Sequence, residues 1–196
     1  MTNNCTNLVI VGVGGQGIIL LSRILGEAAL AAELNVMESE IHGMAQRGGV
    51  VESAVLLGEV ESPTIADGEA DIVLGFEPLE TLRAIRKCSA RTLVISNTSA
   101  VLPFTVASGK VCYPEIDEML GSVAAHVRKL IAFDALALAS QAGSDLAVNI
   151  VLLGALIRHG RLPVGREEVG EVLSTRTKKA FLQINQKAFA LGFEVE

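Results

Sequence analysis

The chain has 196 residues, of which 50% are hydrophobic, and a net charge of −6. That is enough apolar material for one well-filled domain and too little for two sizeable ones. The acidic balance (pI near 5.2) argues against nucleic acid as a partner, because binding a phosphate backbone needs clustered Lys and Arg. Six Phe, one Tyr and no Trp also leave little for stacking on bases.

Residues 1–7 are polar and lack the cationic segment and apolar run of a signal peptide, so the cytoplasm is the expected compartment. Residues 8–11 (Leu8, Val9, Ile10, Val11) form a β-favouring run. They are followed by the glycine-rich turn Gly12-Val-Gly-Gly-Gln-Gly17 and then by Ile18, Ile19, Leu20, Leu21, Ile24 and Leu25, spaced to bury one side of a helix. A second strand is expected around residues 34–37 and a third over 50–57, with a turn-rich hinge over 58–68 containing Ser62-Pro63. Residues 71–75 read as a short buried strand, and Glu77-Pro78 opens a helix with proline in its first turn and Leu79, Leu82 and Ile85 on one face. A strand over 92–96 ends in Asn97-Thr98-Ser99, Pro103 and Gly109 bracket an irregular region, and short strands are expected at 111–113 and 129–133.

Asp134 caps the next helix, which Gly143-Ser144-Asp145 breaks and recaps. The segment 146–158 is apolar nearly all round, which makes it central or partner-covered, and it is far shorter than the roughly 20 residues of a membrane span. Helices over 166–173 and 177–191 follow a loop at 162–164, the last carrying Lys178, Lys179 and Lys187 on its solvent side. The alternation predicts a three-layer, Rossmann-like single α/β domain over residues 1–196 with a mostly parallel sheet.

Gly12, Gly14 and Gly17 match the G-x-G-x-x-G spacing, in which the glycines make the turn, admit a pyrophosphate and let helix and strand pack closely. The helix N-terminus beyond them presents N–H groups to an anion. Gly15 adds backbone freedom, and Gln16 brings a donor and an acceptor that can close over the turn. Glu38 stands 21 residues past Gly17, where an acid would meet a ribose 2′-OH, with Glu40 beside it.

A second loop, His42-Gly-Met-Ala-Gln-Arg-Gly-Gly49, is expected at the C-terminal edge of the sheet beside the first, where open α/β sheets bind ligands. His42, Gln46, Arg47, Gly48 and Gly49 would form an anion clamp or an interface there, with a guanidinium next to bare backbone N–H groups. The local alternative has Met44 plugging the core, Gln46 bonded to backbone, and Arg47 paired with Glu38, Glu40 or Glu52.

Cys5, Cys88 and Cys112 are far apart and odd in number, and His42, His126 and His159 are equally scattered, so no disulfide framework or metal site is expected. A mean hydropathy of +0.47 is high for a single domain and predicts that part of the surface is an interface, unless a filled three-layer core accounts for it.

Four segments together resemble the gamma-type subunits of the 2-oxoacid:ferredoxin oxidoreductases: residues 11–18, Ser39-Glu-Ile-His-Gly-Met-Ala-Gln-Arg-Gly-Gly49, Gly68-Glu-Ala-Asp-Ile-Val-Leu-Gly-Phe-Glu-Pro-Leu-Glu80 and Asn149-Ile-Val-Leu-Leu-Gly154. The resemblance spans most of the chain, and its second loop most resembles the beta subunits of the indolepyruvate enzymes.

The resemblance implies the gamma-domain fold of the pyruvate enzymes. It also implies a role in a hetero-oligomer that converts a 2-oxo acid, indolepyruvate or another aryl or keto acid, and coenzyme A to acyl-CoA and CO2, with ferredoxin as electron acceptor. Thiamine diphosphate, Mg²⁺ and four-iron, four-sulfur clusters would sit in the large catalytic subunit. This chain has neither a Gly-Asp-Gly segment with paired asparagines nor a cysteine cluster, so it is expected to be inactive alone. Its glycine loops would then face coenzyme A or the partner subunit, and an uncovered partner surface would drive a homodimer of the isolated chain.

Two other readings compete. One is a free-standing NAD(P)- or nucleotide-binding protein resting on Gly12, Gly14, Gly17 and Glu38, whose catalytic candidates His42, Tyr113, Asp134 and His159 form no recognisable constellation. The other is a purely structural dimerisation module, which gives the glycine loops no purpose.

Overall fold

A computed structural model describes residues 5–42, 49–101 and 112–196. The first strand, β1 (Cys5–Val13), is the centre of the sheet, and its last six residues are all buried. Around it lie β2 (Val36–His42), β3 (Val50–Gly58), β4 (Ile72–Gly75), β5 (Leu93–Asn97) and β6 (Lys129–Phe133), in the order β2-β3-β1-β4-β5-β6. β1, β4, β5 and β6 are mutually parallel, while β3 runs antiparallel to both β1 and β2.

The sheet is thus mostly parallel as expected, and the one reversal has a local cause. Only residues 43–49 separate β2 from β3, and a parallel crossover needs roughly a dozen residues or more. A hairpin is the only connection available.

β2 lies later than residues 34–37 because that hairpin sets it, from Val36 opposite Leu57 to His42 opposite Val51. Charged Glu38 and Glu40 obscure the strand pattern, yet charge is what an edge strand tolerates. The strand expected at 111–113 does not form where it can be seen, since Cys112 and Tyr113 are irregular and residue 111 lies outside the described residues.

Alternation along the strands divides the core in two. Leu8, Ile10, Val55, Leu57, Ile72, Leu74, Leu93 and Ile95 face one side, and Val9, Val11, Ala54, Leu56, Val73 and Val94 face the other. The first side is covered by α1 (Ile18–Ala31), α4 (Ala135–Ala142), α5 (Val148–His159), α6 (Arg166–Arg176) and α7 (Lys179–Phe193). The second is covered by α2 (Pro78–Arg83), α3 (Ile116–Ala124) and the 59–71 segment, which inserts Ile65 and Ala70.

The apolar helix α5 is central. Its residues from Asn149 to Leu156 are all buried, and α7 covers it from within the same chain. The two helices meet at glycines. A β-carbon on Gly192 would fall on the Val151 backbone, 2.7 Å from its carbonyl carbon, and one on Gly154 would sit 2.8 Å from Phe193 N. Beyond the crossing, the guanidiniums of Arg166 and Arg158 lie 5.0 and 5.7 Å from the Phe193 ring centre. No helix among the described residues is long and apolar enough to cross a membrane.

Candidate functional site

The turn leaving β1 is closed by its own glutamine. Gln16 Oε1 accepts from Val13 N at 2.8 Å, while Gln16 Nε2 donates to the Phe76 carbonyl just past β4 at 3.1 Å. Gly17 caps α1 at φ 85°, a left-handed conformation that favours glycine, and a β-carbon there would also come 2.7 Å from Asn149 Nδ2. Gly12 is confined differently, by Phe76 Cβ at 2.8 Å and Ile18 Cδ1 at 2.9 Å from where its β-carbon would be. The first turn of α1 holds no acidic residue and no side-chain cap, so its N–H groups and positive dipole end stay uncompensated by the helix itself.

Two of the four N–H groups over Gly14–Gly17 are spent inside the protein. Gly14 N donates to Gly49 O at 2.8 Å and Gln16 N to Val13 O at 3.3 Å. The Gly15 and Gly17 N–H groups have no hydrogen-bond partner among the described residues. The Gly14 to Gly49 bond also places the end of the second loop against the first, at the C-terminal edge of β1. Its hairpin register agrees, with Val13 opposite Val50 and His42 opposite Val51. Gln46, Arg47 and Gly48 lie outside the described residues.

A residue read from sequence only as part of a turn completes this edge. Asn97, 2% exposed at the end of β5, donates through Nδ2 to the same Phe76 carbonyl at 3.1 Å. Its Oδ1 accepts from Ala135 N at 3.0 Å and Ser99 N at 3.2 Å. Ser99 Oγ in turn donates to Asp134 Oδ1 at 2.6 Å, and that oxygen also caps α4 through Ala137 N at 2.9 Å. These bonds hold the Asp134 carboxyl below its ordinary pKa, the Ser99 hydroxyl being the largest cause. One carbonyl therefore ties the ends of β1, β4 and β5 together. The signal available in the sequence was a polar residue at the C-terminal end of a parallel strand.

A cleft of about 220 Å³ opens over this network, lined by Gly15, Gln16, Asn97, Ser99, the acidic Asp145 and the apolar Leu136 and Leu146. On the other side of the sheet edge, fully buried Glu77 caps α2 by accepting from Glu80 N at 2.9 Å. Its second oxygen accepts from the Tyr113 hydroxyl. Burial, followed by this bond, raises the Tyr113 pKa.

The residues of a free-standing dinucleotide site do not converge. Glu38 pairs with Val55, which pairs with Leu8, five residues before the end of β1. At about 3.3 Å per residue this puts Glu38 roughly 16 Å below the turn along the strand direction, and with β3 standing between β2 and β1. Its carboxylate packs against Gly26 in the middle of α1. Burial and the neighbouring Glu40 raise its pKa.

The catalytic candidates of that reading are dispersed too. Asp134 is a helix cap, Tyr113 is bonded to Glu77, and His159 Nε2 donates to Val195 O at 2.8 Å. The side chain of His42 is outside the description. Cys5, Cys88 and Cys112 are free thiols, with Cys88 pushed up to about 11 by burial. Among the described residues no group of three His, Cys, Asp or Glu side chains is placed to hold a metal ion. These residues do not fit an iron–sulfur cluster or the Mg²⁺ of a thiamine cofactor.

Residues 7–195 match the family described as Pyruvate ferredoxin/flavodoxin oxidoreductase. The chain is 42% identical over 187 residues to the indolepyruvate oxidoreductase subunit IorB of Archaeoglobus fulgidus, covering 95% of this chain and 93% of that one. Its fold superposes on the keto/oxoacid ferredoxin oxidoreductase gamma subunit of Geobacter sulfurreducens with a TM-score of 0.70 at 24% identity, over 96% of both chains. It also matches the 2-oxoglutarate:ferredoxin oxidoreductase of Magnetococcus marinus, solved with 2-oxoglutarate, coenzyme A and succinyl-CoA bound. There the TM-score is 0.71 at 20% identity, covering 98% of this chain but only 31% of that larger one. A match along nearly the whole length settles the family: this chain belongs to the pyruvate ferredoxin/flavodoxin oxidoreductases and has the size and fold of their separate small subunits.

Proposed function

We propose that this chain is the small subunit, bearing no redox cofactor, of a 2-oxoacid:ferredoxin oxidoreductase acting on indolepyruvate or another aryl 2-oxo acid. The assembled enzyme would convert that acid and coenzyme A to acyl-CoA and CO2 while reducing ferredoxin. The observation that carries the reading is the 42% identity with an indolepyruvate oxidoreductase subunit over 95% of the chain.

Thiamine diphosphate and iron–sulfur clusters would supply the carbanion chemistry and the electron path from within the large catalytic subunit. The complex belongs in the cytoplasm on this reading, a reducing compartment that suits three free thiols.

The small subunit's own contribution is the edge formed by its two glycine loops. Coenzyme A carries a pyrophosphate and a 3′-phosphate. The Gly15 and Gly17 N–H groups, the N-terminus of α1 and the Arg47 guanidinium together offer the donors such a group needs. Gln16 and the Phe76 carbonyl keep the first loop in one shape, so little ordering is left to pay for when the ligand arrives.

Arg47→Ala in the co-expressed complex tests this. A coenzyme A KM raised about tenfold, with kcat and assembly near those of the parent, is expected if a charge-assisted bond to phosphate is lost. An unchanged KM together with loss of assembly would assign Arg47 to the subunit interface instead.

A further inference from the structure

Large hydrophobic side chains are not scattered over this surface. Of the eight that are exposed among the described residues, five (Leu20, Val101, Leu136, Leu146 and Phe181) line two adjoining clefts that share Leu146. Leu146 is 87% exposed, on a short turn between α4 and α5 that Ser144 caps through Leu146 N. One cleft is the approach to the glycine loop described above. The other, of about 290 Å³, runs between α1, the start of α5 and the junction of α6 with α7.

The second cleft has a polar character opposite to that of the chain. The whole molecule carries −6, yet this cleft is lined by Arg176 and Lys178 and by no carboxylate. Arg176 is held by Glu27 at 2.7 Å, whereas Lys178 has no carboxylate partner among the described residues. The cleft also contains Asn149, which is only 5% exposed. Its Oδ1 accepts from Ile150 N at 2.9 Å, while its Nδ2 has no hydrogen-bond partner among the described residues. No buried side-chain donor or acceptor among the described residues lacks a partner, so this amide N–H reaches solvent in the cleft, and beside a cation and an apolar floor it is suited to an acceptor that arrives with apolar groups around it.

We infer that the face centred on Leu146 is where the large catalytic subunit docks, through a segment that is apolar and carries carboxylates. The inference rests on the subunit role proposed above. A second copy of this chain is the competing occupant, and the homodimer outcome of the test below separates it from the large subunit. The continuity of this face with the glycine loop would also place the partner at the mouth of the proposed coenzyme A approach.

The test is co-expression of the tagged chain with its large subunit, comparing the parent with Leu146→Asp, Lys178→Glu and a control, Leu30→Asp. Leu30 is 64% exposed and lies outside both clefts. Leu146→Asp is expected to reduce recovery of the large subunit by about tenfold or more, as loss of a central apolar anchor does. Lys178→Glu should lower recovery less and Leu30→Asp not at all, with thermal melts of all four isolated chains alike.

Full recovery with Leu146→Asp would overturn the docking face and leave the subunit role standing. So would a parent homodimer that Leu146→Asp dissociates while the hetero-complex still forms. A parent chain that recovers no large subunit would overturn the subunit role, and the docking face with it.

Discussion

Gly192→Ala should lower the midpoint of thermal unfolding by about 6–12 °C, the shift expected when about 3 kcal/mol is lost from a chain of this size. The added methyl has nowhere to go. It would fall on the Val151 backbone, with Cα 3.0 Å and the carbonyl carbon 2.7 Å away, and backbone cannot rotate aside as the tip of a flexible side chain can. α5 is buried over its whole middle, so separating α5 from α7 would open the largest packed cluster of the molecule. Gly121→Ala, in α3 with nothing within 4 Å of the new atom, is the matching control. It should stabilise by about 0.5–1 kcal/mol through helix propensity alone. Melting curves of the two variants against the parent decide the point, and a Gly192→Ala melt within 2 °C of the parent, about the shift of one kcal/mol or less, would contradict the close crossing.

Gly12→Ala is expected to cost about 2–3 kcal/mol and to raise the coenzyme A KM of the assembled enzyme. The new methyl would meet Phe76 Cβ at 2.8 Å, Ile18 Cδ1 at 2.9 Å and Gln16 Oε1 at 2.5 Å. Relief requires Gln16 Oε1 to give way and both α1, which carries Ile18, and the Phe76 segment to move back from β1. These shifts displace the Gly15 and Gly17 N–H groups. Gly15→Ala separates geometry from crowding, since its methyl would meet nothing within 4 Å and only its φ of +101° is unfavourable. It should cost about 1–2 kcal/mol. A Gly12→Ala variant with parental stability and parental KM would show that the turn is not tightly specified.

The fold was legible in the sequence wherever its signals are local. Glu77 before Pro78 and Asp134 before Ala135 both act as the helix caps their residue types announce, and the apolar runs at Leu93–Asn97 and Lys129–Phe133 are strands within a residue of where they were expected. β2 was misplaced because its charged stretch suppresses the alternation, and only its pairing with β3 defines it. The candidate site was half legible. The glycine spacing announces a tight turn, but its sealing by Gln16 depends on a carbonyl 60 positions away, and the Asn97 bond to that same carbonyl spans 21. Glu38 fits the right sequence interval and still lies far from the turn, because the interval counts residues and takes no account of β3 inserted between β1 and β2.

The central claim is that this chain works only as part of a larger oxidoreductase. It is tested most directly by co-expression with the large subunit, anaerobic purification, and an assay for reduction of ferredoxin or a viologen dye with a panel of 2-oxo acids, with and without coenzyme A. Dye reduction that requires both chains and coenzyme A, fastest with an aryl 2-oxo acid, is the predicted result. A chain that never co-purifies with the large subunit, yet is stabilised by NAD(H) or NADP(H) in a thermal melt on its own, would contradict it.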